Sequence, residues 1–274
     1  MNLREYVQFD ATELASLVRA GEVTPAELAQ LARRATEEVN PHINAVIEFY
    51  DDAEAVTFAA GGLFQGVPFL RKDIGSAEAG RLRENGSRLF KGYRCETDSP
   101  FFRRARDAGL RTVGRTTLTE FGTSGMSESI LHGITANPWD LSRSAGGSSS
   151  GSAAAVAAGI TPMAHGSDGG GSLRIPASWC GIIGLNPSAG RISDGRSSQD
   201  SFGISREFVL CRTVRDMAAG LDVFPIPIPA AHLKLLDQPV HIWMSFPKPP
   251  VLFASESQEQ NGARSTSNQK SSPQ

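Results

Sequence analysis

Residues 141–193 restrict what this chain can fold into more than any other stretch. They read LSRSAGGSSSGSAAAVAAGITPMAHGSDGGGSLRIPASWCGIIGLNPSAGRIS. Two glycine–serine clusters, at 146–152 and 166–172, bracket a run of alanine and valine. Small side chains at 152–158 predict a buried, tightly packed helix, because they let neighbouring backbone approach closely. The flanking glycines allow backbone angles closed to other residues and expose N–H groups to a ligand. Clustered serines bring hydroxyls within reach of one another, which suits a nucleophile beside an anion-stabilising pocket. Glycine–serine sequence is more often flexible linker. A linker, however, has no need of the apolar run at 153–160, nor of Ile175, Trp179, Ile182, Ile183 and Leu185 just after it.

A chain of 274 residues can bury a substantial core as one large domain or two smaller ones. A net charge of −2 gives no basic field to recruit nucleic acid or anionic lipid. The cysteines, Cys95, Cys180 and Cys211, are odd in number and widely spaced. They fit neither a disulfide framework nor a zinc knuckle, which points to a reducing compartment. The start, MNLREYVQFD, has no apolar signal region, and no run is long enough to span a bilayer. The expectation is a cytoplasmic protein without a membrane partner.

Along the chain, Asp10 is placed to cap a helix with Leu14, Leu17 and Val18 on one face, ended by Gly21. Thr24, Pro25 and Glu27 form a capping box that starts a second helix, expected to stop before Pro41. Residues 44–49 read as a strand and 51–60 as a third helix. Residues 66–73, GVPFLRKD, form an extended apolar run that delivers Lys72 to a strand end beside Asp73. Such a pair is commonly a solvated surface feature. The functional alternative is a lysine desolvated enough to act as a base. Ser99 and Pro100 open an amphipathic helix ended by Gly109, and a short strand follows at 110–113. This alternation predicts α/β architecture with a mixed sheet. Residues 116–138 read as an active-site loop or short turns, and 213–221 as a capped helix.

Residues 147–151 match the G-x-S-x-G nucleophile elbow, but loop sequence precedes them and the partner histidine would have to be His232 or His241. No Gly-Lys-Ser/Thr follows either glycine cluster, so phosphate binding is not supported. His42, His132 and His165 lack metal-ligand spacing and read as ordinary polar or core histidines. What unites the remaining pieces is a resemblance. GVPFLRKD, GSRLFKGY at 86–93, NPWDLSRSAGGSSSGSAAAVAAG, GSDGGGSLRIPA and CGIIGLNPSAGRIS resemble, in order and spacing, the amidase signature family of serine hydrolases. The resemblance covers roughly residues 8 to 223. Within the family the chain is similar to bacterial hydrolases of nylon-oligomer cyclic dimers, and the glutamyl-tRNA amidotransferase A subunit is another relative.

The resemblance implies an amidase signature fold, with a mixed central sheet flanked by helices, here shortened at the C-terminus. It implies Lys72 as catalytic lysine, Ser148 as the serine held by a cis peptide bond, and Ser172 as nucleophile. Backbone N–H groups of Gly169, Gly170, Gly171 and Ser172 would form the oxyanion hole, with Asp168 and Arg174 as structural supports. No metal and no organic cofactor is implied. The partner is a small-molecule amide, and a homodimer is left open. Arg71 stands where the family has an apolar residue, which predicts a wetter setting for Lys72. Ala145, Ser150 and Gly169 are milder departures. The domain reading is a helical scaffold at 1–60, a signature core at 61–223, and a proline-rich tail outside the family pattern at 224–274, expected to be disordered from about Ser255. The implied function is hydrolysis of a carboxylic amide through a Ser–Ser–Lys relay and an acyl-enzyme. The alternatives are a catalytically silent truncated homologue and an amidotransferase-type subunit using glutamine.

Overall fold

Capping chemistry sets the helices at the start of the chain. A computed structural model describes residues 1–55, 60–192 and 204–225. After a single-turn helix α1 (Leu3–Tyr6), α2 (Ala11–Ala20) begins with a reciprocal capping box between Asp10 and Glu13 and ends on Gly21 in the left-handed conformation. Helix α3 (Pro25–Ile43) starts with the expected Thr24–Glu27 box but runs past Pro41. Pro41 withholds one N–H in the last turn. The turn still closes, because Asn44 adopts φ 49° and its N–H reaches the Asn40 carbonyl at 2.8 Å. The Asn40 side chain then binds the Ala45 and Val46 amides at 2.7 and 2.8 Å and turns the chain into β1 (Val46–Phe49). The expected helix at 51–60 is only a 3-10 turn, Ala53–Ala55, with 56–59 outside the described residues. The Arg111 guanidinium donates to the carbonyls of Ala53 and Glu54.

Strands β2 (Pro68–Lys72) and β3 (Arg111–Thr116) flank helix α4 (Pro100–Asp107) in sequence, and every residue of both strands is buried. Short strands β4 (Glu128–Ser129), β5 (Gly133–Ile134) and β6 (Ala136–Asn137), within the expected loop at 116–138, and β7 (Asp140–Ser144), just beyond it, make two small two-stranded ribbons. Helix α5 (Ser150–Ala157), strand β8 (Met163–Asp168), helix α6 (Arg174–Cys180), and strands β9 (Ile183–Gly184) and β10 (Arg206–Cys211) follow, before helix α7 (Val214–Val223). The central sheet has the order β1-β3-β2-β8-β10-β9. Strand β2 runs parallel to both β3 and β8, and the outer pairings are antiparallel. The sheet is therefore mixed, as expected. A strand central to a parallel core has both faces covered and reads as continuous apolar sequence, which is how Lys72 comes to be buried.

Helix α5 packs across β2, β3, β8 and β10. Gly151 permits this: a Cβ there would lie 2.3 Å from the Ala45 carbonyl oxygen and 2.5 Å from the Thr117 amide nitrogen. The two ends of the described chain are joined by crossed caps. Asp216 of α7 accepts from the Ala11 and Thr12 amides at 2.8 and 2.9 Å, while Asp10 accepts from the Thr213 hydroxyl at 2.8 Å and from Arg215. Order also continues past Val223, where the sequence placed the start of the tail. Phe224 is fully buried, with its ring 4.4 Å from that of Phe101 in parallel stacking. Burying such a ring contributes about 2–3 kcal/mol. The remainder of the proposed tail, from residue 226, lies outside the described residues. Among those described, no helix is long and apolar enough to cross a membrane. The cysteines are all buried and free.

Candidate active site

Lys72 ends β2 with its side chain wholly out of water. Its Nζ lies 2.8 Å from Ser148 Oγ, 3.0 Å from Ser167 Oγ and 3.4 Å from the Ser167 carbonyl. Burial disfavours the charged ammonium and lowers the lysine from its ordinary 10.5 to about 7, against the opposing pull of Glu207 and Asp168. The wetter setting expected from Arg71 does not occur. Adjacent strand residues point to opposite faces. Arg71 is equally buried but faces Glu78 at 4.0 Å and donates to the Leu82 carbonyl. Nor is Asp73 the partner of Lys72. It is ion-paired with Arg115 at 2.9 Å and accepts from the amides of Glu84 and Gly86. Asp73, Glu84 and His132 bring ligand-type atoms within 4.8 Å of one another. Arg115, however, also sits 2.8 Å from Glu84 and 2.6 Å from Glu48, so the carboxylates are committed to an ion cluster.

Within the serine-rich cluster the hydroxyls of Ser148, Ser149 and Ser152 have different partners, while that of Ser150 is buried without one. The peptide bond between Gly147 and Ser148 is cis, the geometry the resemblance implied. Ser148 turns to Lys72, and Ser149 reaches the Ser167 carbonyl at 3.3 Å. Ser152 donates to the His165 carbonyl at 2.7 Å and meets the Thr116 hydroxyl at 2.8 Å. Ser172 comes to the same place through the backbone, its carbonyl accepting from the Ser149 amide at 3.2 Å. The Ser172 side chain is partly exposed, as access to a ligand requires. No hydrogen bond joins the Ser172 and Ser148 hydroxyls among the described residues.

Asp168 organises the turn that carries Ser172. Its carboxylate accepts from the amides of Gly171 at 2.7 Å and Leu173 at 3.1 Å, and takes a two-pronged pair from Arg174 at 2.8 and 2.9 Å. Burial alone would raise the carboxyl; the Arg174 pair and the amides outweigh it and hold it below its ordinary range. Of the four amides expected to face an oxyanion, that of Gly171 is held by Asp168. At the other end of α6, Asn137 donates to the Trp179 carbonyl at 2.8 Å and Trp139 to the Cys180 carbonyl at 2.7 Å, satisfying helix-terminal acceptors.

Ser167 and His165 make contacts that no local motif announces, and the expected loop at 116–138 contributes a turn over Ser148. Ser167 is a second hydroxyl on Lys72; it sits inside the recognised GSDGGGS block, where only the later residues drew attention. The turn at Phe121 and Gly122 lies over Ser148. A Cβ at Gly122 would be 3.3 Å from Ser148 Oγ, and Phe121 holds a left-handed φ of 53° with its ring 41% exposed. His165, expected as an ordinary polar or core histidine, is buried against the rings of Phe101 and Phe102. It also lies 2.5 Å from Glu207, a pairing across β8 and β10 that no local motif announces. His232 and His241, the partners of the rival elbow reading, lie outside the described residues.

Comparison with known proteins gives the family of the chain. Residues 27–234 match the Amidase family. The 6-aminohexanoate-cyclic-dimer hydrolase of Pseudomonas sp. (strain NK87) is 45% identical over 220 residues, covering 78% of this chain and 45% of that protein. The lipoamidase of Enterococcus faecalis is 39% identical over 235 residues, 84% of this chain and 32% of that protein. A solved structure of 6-aminohexanoate cyclic dimer hydrolase complexed with substrate superposes with a TM-score of 0.76 at 42% identity, covering 81% of this chain and 48% of that one. The chain thus spans about half or less of the length of the relatives it matches. With the family match covering most of its residues and the fold shared with a solved member, the chain belongs to the amidase family.

Proposed function

We propose that this chain hydrolyses a carboxylic amide through Lys72, Ser148 and Ser172. The observation that carries the reading is the 2.8 Å contact between Lys72 Nζ and Ser148 Oγ in a site dry enough to bring the lysine to about 7. Neutral Lys72 accepts the Ser148 proton as Ser148 accepts that of Ser172. Ser172 Oγ bonds to the amide carbon, and the carbonyl oxygen becomes an oxyanion facing the amides of Gly169, Gly170 and Ser172. The proton returns through Ser148 to the departing nitrogen as the C–N bond breaks. Water then attacks the resulting ester by the same relay and releases the carboxylic acid.

A histidine base finds no support in the geometry around His165. Its Nδ1 accepts from the Lys72 amide at 3.3 Å and its Nε2 meets Glu207, so neither nitrogen is free for a serine. The relatives include a hydrolase of a cyclic amide and a lipoamidase, so the substrates to try first are cyclic and linear aminohexanoate oligomers, then lipoyl amides. The test is labelling of the purified chain by a fluorophosphonate probe that reacts with activated serines. Labelling that is lost in Ser172→Ala supports the reading. A folded protein that does not label contradicts it.

A further inference from the structure

The active-site lysine is attached to a buried His–Glu pair that the relay does not use. The Lys72 amide donates to His165 Nδ1 at 3.3 Å, His165 Nε2 lies 2.5 Å from Glu207 Oε2, and the same oxygen accepts from the Ser76 amide at 3.2 Å. Because Nδ1 is an acceptor, the ring proton resides on Nε2 and points at the carboxylate. Burial between the phenylalanine rings keeps the imidazole neutral, lowering its proton affinity against the pull of Glu207. The loop sits directly on the carboxylate, since a Cβ at Gly75 would lie 2.4 Å from Glu207 Oε1 and Gly75 holds φ +84°.

Among the described residues, the charged neighbours of Lys72 on β2 and β8 have counter-ions. On β8, Asp168 is paired with Arg174. On β2 and just after it, Arg71 faces Glu78 and Asp73 is paired with Arg115. Glu207, on β10, has a neutral partner, and its charge acts on Lys72 ahead of that of Asp168. We propose that Glu207, clamped by His165 and the Ser76 amide, is a positioning residue of this site. It holds the loop after Lys72 in place and supplies a buried negative charge that opposes the loss of the Lys72 proton. The functional consequence rests on the amidase reading above; the electrostatic claim does not.

The sign of the effect makes the proposal testable. A nearby anion favours the ammonium, so its removal must ease deprotonation. The lysines of the chain are Lys72, Lys91, Lys234, Lys248 and Lys270, few enough for 13C-lysine NMR of the full chain, with the Lys72 signal assigned by its loss in Lys72→Met. In Glu207→Gln the Lys72 titration midpoint should fall by about one pH unit, tenfold in proton affinity. Glu207→Asp, which keeps the charge, should restore most of it. The acid limb of fluorophosphonate labelling should move to lower pH in the glutamine variant as well. A midpoint that stays or rises in a variant melting like the parent overturns the proposal. Should Glu207→Gln not fold, Glu207→Met supplies a second test, because it removes the charge while keeping a side chain of similar length. In Glu207→Met the Lys72 midpoint should likewise fall, and a midpoint that stays or rises overturns the proposal. Both NMR tests run without substrate. Failure to hydrolyse or to label would therefore count against the amidase function alone.

Discussion

Lys72 is where function and stability pull against each other. A lysine near 7 is half neutral at neutral pH, so labelling of Ser172 should rise with pH along a single acid limb with its midpoint near 7. A limb near pH 10 would place Lys72 in water and contradict the buried geometry. The same shift sets a stability dependence. Between about pH 7 and 10.5 the unfolded chain holds the lysine proton and the folded chain does not, so stability increases as pH rises through that window. The slope from this residue is at most about 1.4 kcal/mol per pH unit. Lys72→Met should abolish labelling yet melt higher than the parent at pH 7. That gap should close as the two are compared at successively higher pH, which thermal melts at several pH values would read. Ser148→Ala, by contrast, should lose labelling while its melting temperature changes little. Lys72 was legible as a candidate because lysine is scarce and the preceding run is apolar. The charges acting on it were not, since Glu207 and Asp168 reach it only through strand pairing.

The elements show why each glycine–serine cluster has its composition. Helix α5 can approach the ends of β1 and β3 only while residue 151 lacks a side chain. Gly151→Ala forces backbone apart at Ala45 and Thr117 and should cost about 1–3 kcal/mol, read by denaturant unfolding. The turn from β8 into α6 depends on one carboxylate. Asp168→Asn loses the two-pronged charge pair with Arg174 and part of its hold on the Gly171 and Leu173 amides. It should cost about 2 kcal/mol and speed amide exchange at residues 169–174, measured by hydrogen exchange. Exchange unchanged from the parent would mean that the turn is held by something else. The helix caps at Asp10, Thr24, Ser99 and Thr213 could be read in advance, because capping is a contact between near neighbours in sequence. The end of α3 and the 3-10 turn at Ala53–Ala55 could not, because the Asn44 side chain reaches the His132 carbonyl while Arg33 and Arg111 hold the carbonyls of Tyr50 and Ala53.

Across the whole molecule, the crossed caps between α2 and α7 tie the first helices to the last described one. Asp216 is buried, and burial raises its carboxyl against the stabilising pull of the Ala11 and Thr12 donors. Asp216→Ala leaves those two amides without an acceptor. It should lower stability by about 2–3 kcal/mol and loosen α2 and α7 together, visible as matched loss of hydrogen-exchange protection in both helices. Loosening of α7 alone would show that the two ends are independent. What the amino-acid sequence determined by itself was local or motif-bound: the caps, the buried alanine helix, the strand that delivers Lys72, and the serines within the signature blocks. Such features follow from backbone angles, side-chain size and spacing along one segment. Only the tertiary structure decided that Lys72 is dry despite Arg71 and that Asp73 belongs to Arg115. It also committed the Gly171 amide to Asp168 and joined His165 to Glu207. The physical reason is the same in each case: burial and charge are set by groups from other strands, and a sequence lists neighbours along the chain, not across the sheet.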